Sequence, residues 1–234
     1  LQGTALAEFA GKTLKAKKVA ILVDIEQDYS VGLTNYFKER FEKKYKGQIL
    51  EVRYKSGDQE FSAQLAQALA FNSDVIMFTG YYNEIALAAQ QARAMGYKGY
   101  FIAGDGADAP ELIKIGGQAV EGLYFTTHYV PEAAKTKIAK DFVEAFKKKY
   151  NTLPAMNAAL GYDAYMLIVN AIERAKSKDP VKINEAIRST KGFQGVSGNI
   201  DIDENGNAVK DVIIVQVKGG KFTYVTTIGP EDLK

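Results

Sequence analysis

Three side chains carry the most suggestive chemistry in this 234-residue sequence: Tyr29, Tyr81 and Asp105. A phenol offers a flat apolar face and one hydrogen bond, which suits the wall of a small-ligand pocket. Asp105 lies between Gly104 and Gly106, where the backbone can approach a ligand closely. A carboxylate there suits a cationic ligand group. The bland alternatives are rim packing for the tyrosines and a local Asx turn before Pro110 for the aspartate. His128, the only histidine, is flanked by Thr126, Thr127 and Tyr129 and reads as a polar strand-end or loop residue rather than a general base. Asp201-Ile-Asp203-Glu-Asn205-Gly206 matches the first half of a calcium loop. The twelfth position of such a loop needs a bidentate Glu and here is Val212, so a hairpin turn is the better reading and no metal is expected.

The elements that must position these residues follow from periodicity. Val19–Val23, Ile49–Tyr54, Asp74–Thr79, Tyr100–Ala103 and Leu123–Thr126 are short apolar runs of the kind buried on both faces of a sheet. Between them, Val31–Lys46, Phe61–Phe71, Asn83–Met95 and Pro110–Ile115 carry apolar residues at helical spacing, with Gly47 and Gly96 as stop signals. Strand and helix alternating at this pace predict right-handed βαβ units, hence an α/β doubly wound parallel sheet with helices on both faces. Ligands bind such sheets at the carboxyl ends of their strands. The segments there are Asp24–Ser30, Gly80–Asn83 and Gly104–Ala109, and each contains one of the three candidate residues.

The pattern changes after Pro131. Three helical stretches follow with no strand between them until Val196, and then short strands to Thr226 with turns at Asn205-Gly206 and Gly219-Gly220. The division predicted is residues 1–130 plus 207–234 as a complete lobe, and 131–206 as a helical segment with apolar faces but no sheet of its own.

Composition narrows the function classes. Hydrophobic residues make up 47%, the net charge is +2, and cysteine is absent. No disulfide scaffold, thiolate metal site or cysteine nucleophile is available. The near-neutral balance argues against a nucleic-acid partner. No apolar run is long enough to span a bilayer. Leu1–Lys18 is helical in pattern and places its lysines last, the wrong order for a signal peptide. Phosphate-cradling, dinucleotide and nucleophile-elbow motifs are all missing, so no cofactor is expected and an enzyme of doubly wound type is the weaker reading.

An ordered set of segments resembles the type I periplasmic solute-binding proteins of ABC transporters, in the branched-chain amino acid (Leu/Ile/Val) group. They are Gln2-Gly3, Lys18–Asp24, Tyr29-Ser30, Gly57-Asp58 with Phe61-Ser62, Thr79–Glu84, Gln91–Arg93 with Gly96, Gly104–Gly106, Glu121-Gly122, Gly161–Tyr165, Phe193–Gly195 with Gly198, and Asp203–Gly206. The resemblance implies a non-enzymatic protein, periplasmic or extracellular, that binds a small amino acid between two lobes and delivers it to a membrane permease. It implies that Asp105 pairs the ligand ammonium and that Tyr29 and Tyr81 line the pocket. Asp105 stands where leucine-binding relatives carry Glu. The family's first-lobe sheet is missing, so the chain resembles the C-terminal two-thirds of such a protein, with half of the site. A ligand-sensing receptor or regulatory domain of the same fold is the nearest alternative. Helices that pack on that sheet in the family imply self-association through residues 139–172.

Overall fold

The computed structural model describes residues 1–233. The chain divides into two compact units: Leu1–Thr127 with Ile214–Thr226 and Leu233, and His128–Ile213 with Thr227–Asp232.

The first unit is built on a seven-stranded sheet. Its strands are β1 (Lys18–Asp24), β2 (Gln48–Tyr54), β3 (Val75–Phe78), β4 (Tyr100–Ala103), β5 (Tyr124–Thr127), β9 (Val212–Lys218) and β10 (Lys221–Ile228), in the spatial order β10-β9-β5-β4-β3-β1-β2. β2, β1, β3, β4 and β5 pair in parallel. The helices are α1 (Gln2–Glu8), continued by a π-helical turn over Phe9–Thr13, then α2 (Asp28–Tyr45), α3 (Ser62–Ala70), α4 (Tyr82–Ala94) and α5 (Pro110–Gly116). The α/β doubly wound sheet expected from the alternating periods is the one that forms.

The strand order explains the layering. β1 to β2 steps one way along the sheet, while β2 to β3 and β3 to β4 step the other way. Right-handed crossovers then force α2 onto one face and α3 and α4 onto the opposite face. Val19, Ile21 and Val23 of β1 point to the α1–α2 face, where Leu6, Ala10, Leu33, Phe37 and Phe41 bury them. Their neighbours Ala20 and Leu22, like Ile76, Phe78 and Phe101 elsewhere in the sheet, are also fully or almost fully buried. That burial on both faces is why the runs read as continuously apolar.

One element ends differently from the sequence expectation. The left-handed residue that stops α2 is Lys46, not Gly47. Gly47 is required for a different reason: a Cβ there would run into the Phe41 ring. At the edge hairpin, Gly219 and Gly220 both take positive φ, as a two-residue turn demands, and the Glu121 carboxylate accepts from both of their N–H groups.

The second unit holds α6 (Lys137–Tyr150), α7 (Met156–Ala175), α8 (Pro180–Arg188) and a small antiparallel sheet of β6 (Phe193–Gly195), β7 (Gly198–Ile202) and β8 (Ala208–Val209). β6 begins before Val196, where the first strand after the helices was expected. Its apolar centre is small: Tyr129, Ala159 and Val196, flanked by Phe142, Val143 and Met156. Polar groups do much of the joining. The buried Asp163 carboxylate accepts from the Val196 N–H at 2.6 Å, the Ser197 N–H at 2.9 Å and the Ser197 hydroxyl at 2.5 Å. Lys210, also buried, donates to the Ser197 hydroxyl oxygen and to the His128 carbonyl.

Candidate functional site

The sheet reverses its winding between β1 and β3, and the crevice outside that reversal is where a doubly wound sheet leaves room for a ligand. Tyr29 stands in the first turn of α2, the helix that follows β1. Tyr81 is the N-cap of α4, the helix that follows β3. α2 and α4 cover opposite faces, so the two rings reach the crevice from its two sides. Their centroids are 5.7 Å apart with 31° between planes. Asp105 opens a 3₁₀ turn directly after β4, and its Oδ1 accepts a hydrogen bond from the Tyr29 hydroxyl at 2.8 Å. The three residues chosen from the sequence are therefore brought together at one crevice of the first unit.

The hydrogen bonding fixes the arrangement of Tyr29 and Asp105. The Gly106 N–H donates to the Tyr29 oxygen at 3.2 Å, so the phenol accepts from the backbone while it donates to the carboxylate. Burial pushes the Tyr29 pKa far up, and the adjacent Asp105 charge pushes it further. Tyr29 thus keeps its proton at neutral pH. Gly104 is necessary for the contact: a Cβ there would collide with the Tyr29 hydroxyl and the Leu33 side chain. A Cβ at Gly106 would meet the Gly80 carbonyl. Tyr81 is 43% exposed and presents its ring to solvent at the crevice mouth.

A second set of polar groups holds the turn after β1 in shape. The Asp24 N–H donates to the Ser30 hydroxyl oxygen at 2.9 Å, and the Thr79 hydroxyl donates to the Leu22 carbonyl at 2.9 Å. Thr79 has spent its proton there, so in the 2.5 Å contact between the two hydroxyls Ser30 is the donor. The Asp24 carboxylate accepts from the Glu26 N–H and the Ser56 hydroxyl. These bonds join the ends of β1 and β3 and fix the residue after Tyr29. Sequence reading gave no role to Ser30 or Thr79; their positions one and two residues from the candidate tyrosines were the available signal.

The other motifs take no part in this crevice. His128 follows β5 in the second unit, where its carbonyl accepts from Lys210. The Asp203 carboxylate accepts from the Asn205 and Asn207 N–H groups and so closes the loop between β7 and β8. That loop runs over residues 203–207, longer than the two-residue turn its Asn205-Gly206 pair suggested. Among the described residues, no group of three or more His, Cys, Asp or Glu is placed to hold a metal ion. No helix there is long and apolar enough to cross a membrane.

The sequence pattern of periplasmic binding proteins matches residues 1–221. The chain belongs to the periplasmic binding protein family. Within that family it is 33% identical over 214 residues to the Leu/Ile/Val-binding protein homolog 3 of Brucella melitensis, covering 88% of this chain and 55% of that protein. It resembles the crystal structure of a leucine binding protein, LivK, from Thermotoga maritima, with 57% identity, a TM-score of 0.95, and coverage of 99% of this chain and 66% of that one. LivJ of Streptococcus pneumoniae, a branched-chain amino acid transporter substrate binding protein solved in complex with isoleucine, shares 31% identity at a TM-score of 0.83, covering 96% of this chain and 64% of that one. The chain thus spans between about half and two-thirds of the length of these family members.

Proposed function

We propose that this chain is the larger part of the solute-binding component of an ABC transporter and supplies the ammonium-binding side of a site for a small amino acid of the branched-chain type. The observation that carries this reading is the Tyr29–Asp105 hydrogen bond set beside the Tyr81 ring at the sheet's winding reversal. A carboxylate accepts several hydrogen bonds, so a bond from Tyr29 orients Asp105 without exhausting its capacity. A ligand ammonium would take further acceptor positions of Asp105, and the two rings would wall its apolar side chain. The names of the Brucella, Thermotoga and Streptococcus family members support an aliphatic amino acid as the solute. On this reading the protein works in the periplasm or outside the cell, delivers its solute to a membrane permease, and performs no chemistry on it.

Isothermal titration with leucine, isoleucine and valine tests the proposal. The expected result is saturable heat with a negative heat-capacity change and unaltered ligand recovered afterwards. Asp105→Asn should weaken binding by at least about tenfold, the scale of a charge-assisted hydrogen bond. Absence of heat at millimolar ligand, or turnover of the amino acid, would overturn it.

A further inference from the structure

Resting on the reading of the crevice given above, we propose that Gln2 is a positioning residue for Asp105. Gln2 is the first residue of α1, remote in sequence from the crevice, yet its side-chain Oε1 accepts from the Asp105 N–H at 3.0 Å and from the Thr126 hydroxyl at 2.7 Å. Two bonds are the full acceptor capacity of a carbonyl oxygen. The Asp105 N–H can only donate, so the amide must present its oxygen here. One atom of α1 therefore ties the turn after β4 to fully buried Thr126 of β5.

The tie matters because of what flanks it. Asp105 sits between two glycines, the residues that constrain a backbone least. Tyr29 holds the carboxylate end of Asp105 and Gln2 holds its N–H, while the Asp108 N–H donates to its carbonyl. With the Gln2 bond removed, the Gly104–Gly106 segment can pivot about the Tyr29 hydroxyl, and the carboxylate loses the sub-ångström placement that a charged grip requires. Gln2 need not touch the ligand to set how strongly its ammonium is recognised. The ammonium-specific part of the affinity should then depend on α1, a helix outside the crevice.

The test compares the wild type with Gln2→Ala and with Gln2→Glu, which keeps an acceptor oxygen at the same reach. Amide hydrogen exchange at Asp105, thermal unfolding, and affinities for leucine and for 4-methylpentanoate (the same skeleton without the ammonium) are measured. Gln2→Ala should speed exchange at Asp105 by about tenfold, the equivalent of one lost hydrogen bond. It should also shrink the preference for leucine over 4-methylpentanoate by at least about fivefold. Gln2→Glu should retain both the protection and the preference. Should Gln2→Ala fail to fold, Thr126→Val removes one of the two ties and should raise exchange at Asp105 in the same direction. Unchanged exchange at Asp105, or an equal loss of affinity for both ligands, would overturn the proposal. A wild type that binds no leucine while exchange still responds to Gln2 would refute the solute reading and leave the positioning role standing.

Discussion

At the crevice, one hydroxyl does two jobs. Tyr29 donates to Asp105 and accepts from Gly106, so its phenol is a structural joint of the crevice. Tyr29→Phe keeps the ring and deletes the joint. It should lower affinity for an ammonium-bearing ligand by about 1–3 kcal/mol while leaving the apolar contribution in place, which titration with leucine and 4-methylpentanoate resolves. Gly104→Ala should be worse, because its Cβ collides with both Tyr29 and Leu33. An unfolding temperature lowered together with lost binding is the expected signature; an unchanged protein would show that the segment yields. The sequence pointed to all three crevice residues from type and strand-end position alone. It did not reveal that Tyr29 and Asp105, 76 residues apart, touch each other, because only the strand order brings the ends of β1 and β4 to one crevice.

Among the elements, α1 and α2 are joined by a buried carboxylate. Glu8 accepts from Arg40, from Lys44 at 2.9 Å and from the Tyr45 hydroxyl at 2.6 Å, and all three donors lie on the last turns of α2. Burial raises the Glu8 pKa, but the hydrogen bonds from Tyr45, Lys44 and Arg40 outweigh it and leave the carboxyl below its ordinary 4.5. The folded pKa is depressed, so this stabilisation is complete above pH 4.5 and fades as the pH falls through the folded value. Glu8→Gln should flatten the acid limb of a plot of unfolding temperature against pH. An identical acid limb in the two proteins would contradict the assignment. Lys210 in the second unit runs the other way. Burial lowers its pKa from 10.5 to about 8, against the raising effects of Asp163 and Asp211. Between pH 8 and 10.5 the unfolded chain keeps a proton that the folded chain has lost, so this lysine's contribution to stability rises with pH. The unfolding temperature of the wild type relative to Lys210→Met should therefore increase from pH 7.5 to 9.5. Both networks were invisible in the sequence, since nothing in the spacing of Glu8 and Arg40, or of Asp163 and Lys210, marks them as partners.

For the whole molecule, the second unit leaves a stripe of large apolar side chains in solvent. Tyr162, Tyr165, Ile168 and Ile172 recur at helical spacing along α7, with Tyr165 65% exposed, and Ile138 on α6 is exposed as well. Such residues clustered on helix faces favour association. Sedimentation at rising concentration should show self-association of the wild type, reduced by Tyr165→Glu with Ile168→Glu. A wild type that stays monomeric throughout would rule it out. The sequence by itself determined the order and kind of nearly every element in the first unit, because burial on both faces of a parallel sheet writes a period into the chain that needs no partner to be read. It also pointed to the family and to three residues that meet at one crevice, since the strand ends of a doubly wound sheet fall at predictable positions. The tertiary structure alone decided the contacts between positions far apart in the chain: Tyr29 with Asp105, Gln2 with Thr126, Glu8 with α2, and Asp163 with Ser197. Hydrogen bonds of this kind depend on which strands become neighbours, and neighbourhood in a sheet is set by crossover handedness and layer packing rather than by local spacing.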